Sequence, residues 1–229
     1  MLEYIQFNNT SSILKQLPEP FESAAILLHP FVKMPDGWED TKREYPYQII
    51  YPSDEEILSF GTPVMWRTVM DKCQISTYED MELALKTALG ALGKEQARED
   101  LKDQLNSIYR PNLYIPVEDS LPALLLKDIL SVLGSKEAKT ILFSEPIYHR
   151  NGKLVIQDTT PLEICNITDR ELLLTDENND FAFMSVYDSC FTLFLAKEKN
   201  ISSIIESMNW EAILCNKDTF LDWFLPKSI

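Results

Sequence analysis

The sequence predicts an α+β protein: a helical N-terminal half (about 53–133) packed on a mainly antiparallel sheet formed by about 139–225. Three observations carry this expectation. Apolar residues recur at helical spacing through 53–133, and from residue 139 the period changes to that of strands. The last third reads as strand, turn, strand, strand, helix, strand, in ELLLTD, ENND, FAFMSVYD, CFTLFLAK, NISSIIESMN and EAILCN. Helices and strands segregated along a chain, rather than alternating, point to α+β rather than α/β. The expected organisation is one domain over 1–229, subdivided at most into a mostly helical 1–118 and a strand-rich 119–229.

Each element has a local warrant. AAILLHPFVKM is an apolar run bounded by prolines and predicts a buried strand near 24–29. PDGWEDTKREYPYQIIYPSD, rich in Pro and aromatics but without period, reads as a long irregular loop with a short extended piece at 47–51. Ser53 with Glu56 is a capping box opening a first helix. Thr62-Pro63 has the form of an N-cap followed by proline at the first helical position, leading into VMWRTVMDKC. Ser76 or Thr77 caps a third helix, on which Met81, Leu83, Ala84, Leu85, Ala88, Leu89 and Leu92 share a face. KEQAREDLKDQLNSIY is a fourth helix, mostly charged, leaning on the core through Leu101, Leu105 and Ile108.

The prolines of RPNLYIPVEDSLP break the helical run and leave 112–117 extended. Ser120 then caps PALLLKDILSVL, which stops at Gly134. Asn151-Gly152 between two apolar runs signals a hairpin turn. Thr160-Pro161-Leu162-Glu163 is a second capping box. Residues 181–187 are apolar on both faces, as suits a central strand, and Ile201, Ile204, Ile205 and Met208 mark the helix that covers it.

Composition bounds the function. Six glycines in 229 residues are few against a usual share of about 7%, and neither G-x-G-x-x-G nor G-x-x-x-x-G-K-[ST] occurs, which argues against Rossmann and P-loop nucleotide enzymes. The formal charge is −15, from 36 acidic and 21 basic residues. That disfavours nucleic acid and anionic membranes as partners and favours a basic protein. The N-terminus lacks the pattern of a signal peptide, no apolar run reaches the roughly 18 residues of a membrane span, and Cys73, Cys165, Cys190 and Cys215 stand singly in apolar surroundings. A reduced, cytoplasmic protein is expected.

No pattern of catalytic or metal-binding residues is complete. Asp176-Glu177-Asn178-Asn179-Asp180 starts like a calcium loop, but Phe181 and Tyr187 stand where Gly and Glu are required, so a polar hairpin loop is expected. The two histidines are His29, in an apolar run and read as a satisfied core residue, and His149, read as exposed. Glu145 precedes His149 by four residues, about 13 Å along a strand, which is no chelate. Asp188-Ser189-Cys190 reads as a tight turn before a buried cysteine, with no base placed to make a thiolate. No metal and no cofactor is expected. Residues 160–222 hold twelve Asp and Glu against four Lys and Arg, an acidic face suited to electrostatic docking. The loop at 35–52 interleaves Trp38, Tyr45, Tyr47 and Tyr51 with charged residues, a composition that binding hot spots use. The candidate binding residues are therefore Trp38, Tyr45, Tyr47, Arg67, His149, Asp176, Asp180 and Asp188.

FVKMPDGWE, YPSDEEILSFGTPVMWR and LLLTDENNDFAFMSVYDSCFTLFLAKE resemble an uncharacterised family of Bacillus-type bacterial proteins, a likeness that covers most of the chain and implies no activity. The strand–strand–helix–strand tail, with LPEPFESAAILL near the start, is similar to immunity proteins of the Smi1/Knr4 (SUKH) type. That resemblance implies an acidic cytosolic protein that neutralises partners by contact. The functional expectation is a non-catalytic, inhibitor-like protein-binding module with an acidic surface. The alternative is an enzyme of unfamiliar type, with a carboxylate and histidine site assembled from distant residues.

Overall fold

The computed structural model describes residues 2–45, 47–108, 110, 112–222 and 225. Along the chain run β1 (Ser23–Leu28), β2 (Phe31–Lys33), α1 (Asp54–Phe60), β3 (Thr62–Val64), α2 (Trp66–Cys73), α3 (Tyr78–Leu89), α4 (Glu99–Ser107), β4 (Leu113–Tyr114) and α5 (Ala123–Gly134). There follow β5 (Thr140–Glu145), β6 (Arg150–Val155), α6 (Pro161–Cys165), β7 (Leu173–Asp176), β8 (Phe181–Ser185), β9 (Phe191–Ala196), α7 (Ser202–Ser207) and β10 (Ala212–Leu214). The fold is α+β. The chain forms two compact units: a sheet unit of residues 1–29 with 116–220, and a helical unit of residues 30–115 with 221–229.

The sheet unit is built on an antiparallel sheet of strand order β10-β1-β9-β8-β7-β5-β6. Register puts alternate residues on one face: Ala25 and Leu27, Phe194 and Ala196, Phe181 and Phe183, Leu174 and Ile141 form one buried cluster with the apolar sides of α5, α6 and α7. Phe183 stacks on Phe194 at 4.7 Å, and Trp210 stands edge-on to both at 5.8 Å. The strand expected near 24–29 is β1, and it corrects the sheet boundary. The sheet is not confined to 139–225, because β1 runs through it between β9 and β10.

The hairpin expected around Asn151-Gly152 is present, but its turn lies at 146–149, and Asn151 and Gly152 belong to β6. Two contacts explain the shift. The buried Glu145 carboxylate accepts the backbone N–H groups of Ile147 (2.8 Å) and Tyr148 (3.0 Å) and the Arg150 Nε–H (3.2 Å), which builds the turn one step earlier. Gly152 lies opposite Phe143, whose ring atoms would sit 2.5 Å from a Cβ there, so the glycine makes room for the ring rather than for a bend. Residues 176–181 form the expected polar hairpin loop. The fully buried Asp176 carboxylate accepts the N–H groups of Asn178 (2.8 Å), Asp180 (3.2 Å) and Phe181 (2.6 Å). Asp176→Asn keeps one acceptor and loses the charge, and should cost about 2 kcal/mol in a urea melt.

The helical unit holds a three-stranded sheet, β3-β2-β4, with α1 to α4. The capping box of α1 and the Thr77 cap of α3 are as expected, and α3 ends on Gly90 in the left-handed region (φ 74°). Thr62-Pro63 does not open a helix. It belongs to β3, which pairs with β2, and Pro63 is tolerated because β3 is an edge strand; α2 starts only at Trp66. No strand forms among the described residues of 47–51, and α5 of the sheet unit starts after Pro122, with no side-chain cap, rather than at a Ser120 cap. The face of α3 is also corrected. Ala88 and Leu89 are exposed, while Glu82, Lys86 and Thr87 are buried beside Met81, Ala84 and Leu85. Glu82 and Lys86 lie one turn apart with carboxyl oxygen and amine nitrogen 3.7 Å apart, so each buried polar side chain meets a partner on a face that hydrophobicity alone would not give it.

Candidate partner-binding surface

The long loop between β2 and α1 is irregular in backbone but tied down at its base. Trp38 is buried edge-on against Tyr114 of β4, at 6.1 Å and 87°. The Asn112 carboxamide donates to the Met34 carbonyl and the Asp36 carboxylate, both at 2.8 Å. Residues Glu39–Thr41 make one 3-10 turn, closed by the Thr41 hydroxyl on the Trp38 carbonyl at 2.7 Å. Lys42 bonds Glu56 at 2.5 Å and lies 5.9 Å from the Trp38 ring centre; Arg43 bonds Glu39 at 2.5 Å and donates to the Gln48 carbonyl at 3.1 Å. The Glu56 carboxyl is held below the usual carboxylate range, first by Lys42 and then by the Ser53 N–H.

Above that base the chain displays a row of large side chains. Tyr47 (96% exposed), Ile49 (74%) and Tyr51 (73%) alternate with the half-buried Gln48 and Ile50, and Tyr45 (60%) is exposed beside them. Period-two exposure is that of a strand face, yet the described residues of this stretch pair with no strand. Tyr47 has φ 73°, a left-handed conformation rare for a bulky residue. Residues 35–60 carry seven carboxylates against Lys42 and Arg43, and both cations are already engaged by carboxylates. The row of rings therefore sits in surplus negative charge.

The other residues singled out by sequence are scattered. Arg67, on α2, donates to the Tyr78 hydroxyl at 2.7 Å beside an open cleft lined by Gln74, Ser76 and Thr77. In the sheet unit, His149 is exposed at the β5–β6 turn, in the left-handed region (φ 52°). Asp176 is consumed by its turn. Asp180 pairs with Lys197 at 3.6 Å, and the half-buried Asp188 donates its N–H to the Asp119 carboxylate. Glu171 is buried as well, so part of the negative charge of 160–222 lies inside the unit rather than on its surface. His29 is fully buried: Nδ1 lies 2.7 Å from the Val117 carbonyl and Nε2 lies 2.8 Å from the Thr192 hydroxyl. Among the described residues no group of three or more His, Cys, Asp and Glu is arranged to hold a metal ion, and no helix is long and apolar enough to cross a membrane.

Sequence reasoning missed Glu82 and Lys86 of the helical unit, for which the only signal was their spacing of four on α3. It also missed Ser144, whose hydroxyl opens into a cleft described below.

Over 224 residues the chain is 42% identical to the uncharacterized protein YwbB of Bacillus subtilis (strain 168), covering 98% of this chain and the whole of that protein. No solved structure matches it. Residues 9–225 match the family described as Protein of unknown function (DUF2711). The chain belongs to that family.

Proposed function

We propose that the protein is a non-catalytic binding module that docks a basic polypeptide on the aromatic row of the helical unit. The observation that carries this reading is the exposure of Tyr45, Tyr47, Ile49 and Tyr51 on a stretch tied down at its base and, among its described residues, paired with no strand. Exposed tyrosine rings accept Lys and Arg side chains over their faces, at about 0.5–1 kcal/mol each, and aromatic residues dominate interface energetics. The surrounding carboxylate surplus selects a positive partner and speeds encounter. An inhibitor-like or immunity-like role is one form of this reading, supported by the resemblance of the tail to SUKH-type proteins and by the overall acidity.

The test is affinity capture from the native host with the whole chain, run beside Tyr47→Ser and at raised salt. A basic protein should be retained by the wild-type chain, about tenfold less by Tyr47→Ser, and weakly at high salt. Tyr47 is almost fully exposed, so the substitution should leave the melting temperature unchanged. Capture that is indifferent to both changes defeats the reading.

A further inference from the structure

The sheet unit has a cleft of about 370 Å³ between the N-terminal segment and the β5–β6 hairpin. That volume lies in the range of small-molecule sites, roughly 300–1,000 Å³. Ser144 and Asn151 are direct cross-strand partners, so their side chains stand side by side on one face of the sheet. Ser144 is 94% buried (6% exposed), and its hydroxyl makes no hydrogen bond to any described residue. The carboxamides of Asn151 and Gln6 and the imidazole of His149 are equally unengaged among the described residues, and all of them line the cleft. The N-terminal wall is fixed by Tyr4, whose hydroxyl donates to the Ser185 carbonyl at 2.7 Å. Burial, and then Glu171 and Asp119, push the Tyr4 phenol well above its usual value, so it stays a neutral donor. The opposite wall is fixed by Glu145, whose charge is met by two backbone N–H groups and Arg150.

These groups define a ligand chemistry. Among the described residues no Lys or Arg lines the cleft, while the carboxylate of Glu3 does, so anions are disfavoured. Among the described residues Tyr4 and Pro146 are its only apolar walls, too little for a lipid but suited to the C–H face of a ring. A hydroxyl and two carboxamides offer donors and acceptors in pairs, as sugar hydroxyls do. We propose that this cleft binds a small polyhydroxylated molecule, uncharged or positively charged, of the sugar or amino-sugar class.

The experiment is a titration of the isotope-labelled whole chain with D-glucose, D-glucosamine and D-glucose 6-phosphate, followed by amide NMR. At least one of the first two should shift amides of residues 3–6 and 144–151 saturably, and the phosphorylated sugar should bind more weakly. Asn151→Leu, at an exposed position, and Ser144→Ala should each weaken binding about tenfold while the spectrum elsewhere stays native. The proposal is overturned if no sugar moves those amides, if the shifts persist unchanged in both variants, or if the phosphorylated sugar binds best.

Discussion

Acidification from pH 6.5 to 4 should cost the sheet unit about 3 kcal/mol of stability through His29 alone. The cause is geometric. Nδ1 faces a carbonyl oxygen, so it must carry the proton and donate; Nε2 then accepts from the Thr192 hydroxyl. That arrangement satisfies a neutral imidazole, and burial pushes its pKa from 6.5 down to about 4, only partly opposed by the bond to Val117. The folded-state value lies below the unfolded one, so between them the unfolded chain binds more protons. The stabilisation is therefore complete above pH 6.5 and is lost as pH falls towards 4. Urea melts of wild type and His29→Gln across this window isolate the effect from the carboxylates that titrate nearby. The difference between the two proteins should shrink by about 3 kcal/mol on going from pH 6.5 to 4. A difference that does not change with pH refutes it. Should His29→Gln fail to fold, NMR titration of the His29 ring in the wild type must still find it neutral at pH 5.

What the sequence made legible follows the range of the interactions involved. The capping boxes at Ser53 and Thr160 and the Thr77 cap depend on residues within one turn, and they are where expected. Thr62-Pro63 failed because the same two residues serve a helix start or an edge strand, and the choice was made by pairing with Phe31–Lys33, thirty residues away in sequence. Asn151-Gly152 failed because its glycine answers to the Phe143 ring across the hairpin rather than to a turn. The sites divide in the same way. The aromatic content of 35–52 was visible, but that Trp38 is sunk against Tyr114 while Tyr47 stands out depends on contacts with β4. The polar cleft draws on residues 3–6 and on both strands of a hairpin some 140 residues later, and no local pattern announces it.

In the helical unit the pH dependence should have the opposite sign: raising the pH from 4.5 to 7 should cost about 3 kcal/mol through Glu82. Two effects compete at this carboxyl. Lys86 lies 3.7 Å away and the Leu225 backbone N–H donates to it, and both favour the charged form. Burial favours the neutral form, and burial is the larger, raising the pKa from 4.5 to about 7. This is the general weakness of buried ion pairs, where desolvation offsets the attraction. The folded-state value now lies above the unfolded one, so the native state holds the extra proton. The contribution is complete below pH 4.5 and is lost as pH rises through 7. Glu82→Gln imitates the protonated form at every pH. Relative to wild type, the variant should therefore gain about 3 kcal/mol between pH 4.5 and 7.5 in urea melts of the whole chain. If Lys86 governed Glu82 instead, the variant would lose ground over the same interval, and the sign of the slope decides between the two.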